Sequence, residues 1–171
     1  MKQIHVSKLG RAARCATRWM LIGAASIPLL LVRGAESEMY PSGFRQWVHV
    51  KSAMITAAHP AAQTEGGVHH IYANRKAAEG YTSGNFPDGS TIAYELVETQ
   101  EKDGVISEGT RRRVDVMVKD SGRFGATGGW GFARFIGSSE TGNAVGASAK
   151  TMCFDCHARV SEHGYVFSRI R

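Results

Sequence analysis

Two thiols and an imidazole fall within five residues near the C-terminus of this 171-residue chain, in the run Cys153-Phe154-Asp155-Cys156-His157. The pattern C-x-x-C-H is the attachment signature of a c-type haem. Each thiol can add to one haem vinyl group to make a thioether, and two intervening residues on one helical turn match the separation of the vinyls. The histidine directly after the second cysteine then lies under the iron as an axial ligand. Three other chemistries compete for the same residues. A zinc site could use His163 as a fourth ligand, but that spacing fits no common finger, and zinc usually takes two well-separated ligand pairs. A thioredoxin-like redox pair would follow a first strand in a βαβ unit, and none is apparent. The last alternative is a plain disulfide across C-x-x-C.

The N-terminus supplies context for the motif. Lys2, Lys8, Arg11, Arg14 and Arg18 form a basic region with no acidic residue, and an apolar run follows from Trp19 to Val32. Small residues at Gly34 and Ala35 offer a cleavage site, with Val32 at the −3 position. Residues 1–34 therefore read as a secretory signal peptide, leaving residues 35–171 as a single haem domain. An uncleaved anchor is the competing reading. The run is shorter than the roughly 20 residues a membrane-spanning helix needs, and Pro28 interrupts it. There is no twin-arginine pair, so the general secretory route and a periplasmic location are expected. Covalent haem attachment in bacteria takes place outside the cytoplasm, so export and motif agree.

Removing that segment changes the charge argument. The chain has 21 Lys+Arg and 15 Asp+Glu; residues 1–34 hold six of the basic ones and no acidic one, so the remainder stands at 15 against 15. The net charge of +6 belongs to the signal, and nothing remains to favour nucleic acid or an anionic membrane. Cys15 leaves with the signal too. The only cysteines then left are the pair in the motif, which excludes a disulfide framework.

The elements that must position the motif read mostly as strands. Residues 47–55, Val68 to Tyr72, Ser90 to Glu98 and Trp130 to Ile136 are β-rich, and Thr110 to Lys119 has the clearest period of two. There, Val114, Val116 and Val118 point one way while Arg111, Arg113, Asp115 and Met117 point the other. Asn74 looks like the N-cap of a short helix from Arg75 to about Gly80. Phe86-Pro87-Asp88-Gly89 and Lys102-Asp103-Gly104 read as turns, and residues 137–149 as a surface loop. A haem-binding helix is expected over about Ala149 to Val160, and a last strand over Tyr165 to Ile170. The expected class is α+β: mainly antiparallel sheet with a short internal helix and a C-terminal haem-binding helix.

Residues that could serve a haem are scattered. His49, His59, His69, His70, His163 and the methionines are candidates for a sixth iron ligand, which would make the iron an electron carrier. His69 and His70 lie on opposite faces of one strand, so one can face a haem pocket; both also suit a sheet surface or a satisfied core, the reading preferred on burial statistics. Phe86, Trp130, Phe132 and Phe135 suit a haem lining or plain core. Arg111-Arg112-Arg113 could pair with haem propionates or form a solvated strand end. Asp155 is expected only to cap or solvate its helix.

The chain resembles the cytochrome P-460 family, which includes the β-sheet cytochromes c-prime. The similar residues are Tyr40-Pro41 with Phe44 and Trp47, Val68-His69-His70-Ile71-Tyr72, Gly84 to Gly89 followed by Glu95-Leu96-Val97, Val114 to Asp120, Trp130-Gly131-Phe132, and Cys153 to His157 with Tyr165 to Arg169. The resemblance implies a homodimeric antiparallel β-sheet protein with one covalent haem c. It implies five-coordinate iron, with His157 as proximal ligand and an open distal side. Members oxidise hydroxylamine or bind nitric oxide and carbon monoxide. In the hydroxylamine-oxidising members a lysine just before the segment corresponding to Ser83-Gly84-Asn85-Phe86 is cross-linked to the porphyrin. Tyr81 and Thr82 hold that place here, and Lys76 lies too far upstream. The departure counts against the cross-link and, with it, against hydroxylamine oxidation.

Three functions follow: a small-ligand haem protein for nitric oxide or a related species, a six-coordinate electron-transfer cytochrome, and an oxidase of hydroxylamine or nitric oxide serving a soluble electron acceptor. The first is the one the motif and the resemblance favour.

Overall fold

The computed structural model describes residues 39–170. Residues 1–34, read above as a signal peptide, and Cys15 within them lie outside the described residues. Among the described residues, no helix is long and apolar enough to cross a membrane.

Five strands form one antiparallel sheet in chain order: β1 (Val48–Ile55), β2 (Gly67–Ala73), β3 (Thr91–Lys102), β4 (Val105–Lys119) and β5 (Trp130–Ile136). The α+β class expected from the sequence is the one found. The period-two pattern of β4 explains how the sheet is covered. Val114 and Val116 are buried on one face with Ala93, Ala133 and Phe135, beneath Met39 and Phe44. Met117 faces the other way and packs with Ile92, Trp130, Phe132, Phe86 and Val166. Each such Val, Phe or Met contributes roughly 1.5–3 kcal/mol by leaving water.

β3 and β4 meet through the two-residue turn Asp103-Gly104, since Lys102 pairs with Val105. Their pairing from Thr99↔Glu108 onward runs past the ends of both neighbours, where β2 stops at Val68↔Val97 and β5 at Arg113↔Ile136. The hairpin tip therefore projects as a two-stranded ribbon.

Two helices sit between strands. The helix α1 (Ala62–Glu65) was not expected; α2 (Arg75–Ser83) was. Asn74 caps α2 through Oδ1, which accepts from Ala77 N at 2.9 Å and Thr91 N at 3.1 Å, while its Nδ2 donates to Gly89 O at 2.9 Å. One side chain thus ties the start of α2 to the start of β3.

The helical segment expected near the C-terminus forms, in three pieces. Lys150–Phe154 is a π-turn, Asp155–His157 is α-helical, and Ala158–His163 is a 3₁₀ run kinked at Val160. Widened turns of this kind recur at functional sites. The last strand over Tyr165 to Ile170 does not form, because Tyr165 has φ 67 and follows Gly164 at φ 65. Two consecutive left-handed residues turn the chain back on itself and break extension.

Candidate functional site

The turn at Gly164-Tyr165 returns the chain to His157. The Tyr165 carbonyl accepts a hydrogen bond from His157 Nδ1 at 2.7 Å. A backbone carbonyl can only accept, so Nδ1 carries the proton and Nε2 is left with a lone pair. Phe132 and Phe167 flank the ring at centroid distances of 5.1 and 5.0 Å. Burial lowers the imidazole below its ordinary value, partly opposed by the Tyr165 hydrogen bond, so the ring stays neutral and ready to ligate.

The turn itself is held from β5. Trp130 Nε1 donates to Gly164 O at 2.9 Å. The ring of Tyr165 lies against Gly128, where a Cβ would stand only 2.5 Å from Tyr165 Cε2. Sequence reasoning missed this support, since a left-handed tyrosine has no signature of its own.

His157, Cys153 and Cys156 line one cavity of about 500 Å³ between the C-terminal segment and the sheet. That size is usual for a small-molecule or cofactor site. Each strand contributes alternate residues to its floor: Lys51 from β1, His69 and Ile71 from β2, Ile92 and Tyr94 from β3, Arg113, Asp115 and Met117 from β4, Phe132 and Arg134 from β5. Glu65 from α1 lines it as well. Both thiols are free, and burial raises Cys153 above the ordinary thiol value, which keeps it protonated.

A charged network crosses the floor. Asp115 accepts from Arg113 Nε at 2.8 Å and from Arg134 Nε and Nη2 at 2.5 and 2.9 Å. Arg113 Nη2 also reaches Glu65 Oε2 at 2.5 Å, and Tyr94 OH donates to Glu65 Oε2 at 3.0 Å. Burial alone would lower the Arg113 guanidinium, but Asp115 and Glu65 hold it above its ordinary value.

The expected site residues separate. Phe132 lines the cavity, Phe86 and Trp130 belong to the core on that side, and Phe135 is buried on the opposite face. Of the three consecutive arginines only Arg113 reaches the cavity; Arg111 donates to Gly137 O and Arg112 to Gly66 O, so the run is no solvated strand end. His163 is engaged by Arg169 at 2.6 Å on the surface, and among the described residues no three His, Cys, Asp or Glu side chains gather for a metal ion. The zinc alternative has no ligand set. Asp155 pairs with Lys150 Nζ at 3.0 Å.

The two adjacent histidines part as alternation requires. His70 lies on the face away from the cavity. His69 lines the cavity, stacked on Tyr94 with centroids 5.0 Å apart. Its Nδ1 is buried with no hydrogen-bond partner, which leaves Nε2 as the accessible nitrogen. Burial, then Lys51, lowers His69 below the ordinary imidazole value. Lys51, Glu65, Tyr94, Asp115 and Arg134 escaped the sequence reading as site residues.

The family model described as Cytochrome P460 matches residues 41–168. The chain belongs to the cytochrome P460 family. No curated protein matches it. Membership of the P460 family implies a haem cofactor, and the residues fit one. The cavity has apolar walls in Ile71, Ile92, Met117, Phe132 and Val166, two free thiols at its edge and a neutral imidazole with one lone pair.

Proposed function

We propose that this P460-family chain is an exported monohaem c-type cytochrome that binds small nitrogen species, nitric oxide foremost, at five-coordinate iron. The observation that carries the reading is the hydrogen bond from His157 Nδ1 to Tyr165 O, made beside two free thiols on one cavity. Cys153 and Cys156 would hold the haem through thioether bonds, and His157 Nε2 would ligate its iron. When bound, the haem supplies a redox-active iron with a position for a small ligand. Arg113 and Arg134 are the guanidiniums on the cavity floor, where Asp115 and Glu65 hold them in place. Phe132, Ile92 and Met117 exclude water from the sheet side. Export through residues 1–34, a periplasmic setting, a homodimer and a soluble electron acceptor complete the proposal.

Hydroxylamine oxidation of the cross-linked kind lacks its lysine. Tyr81 holds that place, packed on Phe86 with its hydroxyl 2.5 Å from Ser168 Oγ and pushed up to about 12 by burial. Lys76 is turned to Asp88 O at 2.8 Å.

His69 favours a second reading, a six-coordinate electron-transfer cytochrome, because its accessible nitrogen is on the cavity. An absorption spectrum of the dithionite-reduced, haem-loaded protein separates the two. A broad band without resolved α and β peaks supports open iron. Sharp α and β peaks that His69→Ala abolishes support the sixth ligand and overturn the first reading.

A further inference from the structure

On the sheet face away from the cavity, four side chains form one hydrogen-bonded chain that a haem site does not use. His70 Nε2 meets Glu108 Oε1 at 2.7 Å, His70 Nδ1 meets Ser52 Oγ at 2.6 Å, and His49 Nε2 meets the same Ser52 Oγ at 2.8 Å. The protons follow from the chemistry. A carboxylate only accepts, so His70 carries its proton on Nε2 and presents a lone pair at Nδ1. The imidazoles of His49 and His70 thus converge on one oxygen, their ring centroids 6.1 Å apart.

We propose that His49 and His70 form a surface site for a divalent transition-metal ion of the imidazole-preferring class, copper or zinc. Three features carry it. Two imidazole nitrogens, His70 Nδ1 and His49 Nε2, point at one position, which the exposed Ser52 hydroxyl fills and would vacate for an ion by rotating about χ1; His49 needs only its other tautomer to offer a lone pair there. Glu108 fixes the other nitrogen of His70, the carboxylate–histidine arrangement that orients metal-binding imidazoles and raises their basicity. The ligands sit on paired strands, with Ser52↔His70 and His49↔Tyr72 in register, so the backbone already sets their spacing. Glu108 reaches the site from the β3–β4 ribbon. His49 and Ser52 are exposed, so an ion has access, whereas the His70 side chain keeps only 14% exposure and a fixed orientation. Two imidazoles leave the remaining positions to water, which suits an open site rather than a closed structural one. Magnesium and calcium prefer oxygen donors and should not compete.

The test is calorimetric titration of Cu(II), Zn(II) and Mg(II) into chain whose thiols are blocked, by haem or by Cys153→Ala with Cys156→Ala. One saturable site for Cu(II) and Zn(II) and none for Mg(II) is expected. His49→Ala and His70→Ala should each remove it, His59→Ala and His163→Ala should leave it, and Glu108→Gln should weaken it about 10- to 100-fold. Copper EPR of the thiol-blocked chain with all its histidines in place should show coupling to two nitrogens, which decides the matter even if a histidine variant misfolds. Tight binding that survives His49→Ala and His70→Ala, coupling to fewer than two nitrogens, or no saturable binding would overturn the proposal.

Discussion

Replacing Gly128 with alanine should weaken the clamp on His157 without touching the histidine. Gly128 has φ 63, and its new Cβ would lie 2.5 Å from Tyr165 Cε2 and 2.7 Å from the hydroxyl oxygen, closer still to Cζ. An alanine in left-handed backbone costs about 1–2 kcal/mol. Forcing the tyrosine ring aside adds about 1–3 kcal/mol of overpacking. The expected loss is therefore roughly 2–5 kcal/mol, a large part of a typical domain's 5–15 kcal/mol. Gly142 supplies the control, since it has φ 80 and nothing within 4 Å of where an alanine methyl would stand. Gly142→Ala should show the backbone strain alone. Adding Tyr165→Ala to Gly128→Ala removes the ring that clashes, so a double-mutant cycle should return a coupling of about 1–3 kcal/mol. Urea unfolding followed by far-UV circular dichroism reads every variant. Should Gly128→Ala cost no more than Gly142→Ala, or the cycle prove additive, the packing of Tyr165 on Gly128 does not hold the turn.

Other consequences follow from the cavity floor. Asp115→Asn should destabilise by about 2 kcal/mol, below the roughly 3–5 kcal/mol of a fully buried pair because the carboxylate is 27% exposed; thermal unfolding measures it, and no change would mean the Arg113–Asp115–Arg134 cluster is idle. His69 has its folded value lowered from 6.5, so the unfolded chain binds the proton more readily. Its contribution is present above pH 6.5 and is lost as pH falls through 6.5 and below, so His69→Gln should flatten the decline in stability between about pH 7 and 5. Equal declines for both proteins would remove His69 from the titration. Trp130→Phe deletes the donor to Gly164 O and should cost roughly 1–3 kcal/mol by leaving that carbonyl unpaired; a neutral result by urea unfolding would show the turn needs no such tie.

The chemistry of the site was more legible than its walls. Cys153, Cys156 and His157 are close in sequence, so their grouping on one cavity could be read from spacing alone. Local signals also placed the elements: the alternation of Val114, Val116 and Val118, the Asn74 cap and the Asp103-Gly104 turn each depend on neighbours along the chain. The cavity floor depends on neighbours across the sheet. Lys51, Tyr94, Asp115 and Arg134 look like ordinary strand surface until β1 to β5 align their alternate residues on one face. Glu65 needed a four-residue helix too short to leave a periodic trace. The pattern of Tyr165-Val166-Phe167 suggested a strand, and the left-handed Tyr165 overrides it because His157 lies only eight residues back and requires a carbonyl. His69 and His70 illustrate both sides of the problem: their opposition was certain from β periodicity, but which of them met the cavity was set by β3 and β4.

Covalent attachment of haem to the C-x-x-C-H segment is the central claim. Mass spectrometry of the peptide spanning Cys153 to His157, from chain produced with haem maturation and extracted with acidified organic solvent, tests it most directly. The expected product is that peptide with the mass of one haem retained. Recovery of the peptide with two free or disulfide-bonded cysteines and no haem would contradict it.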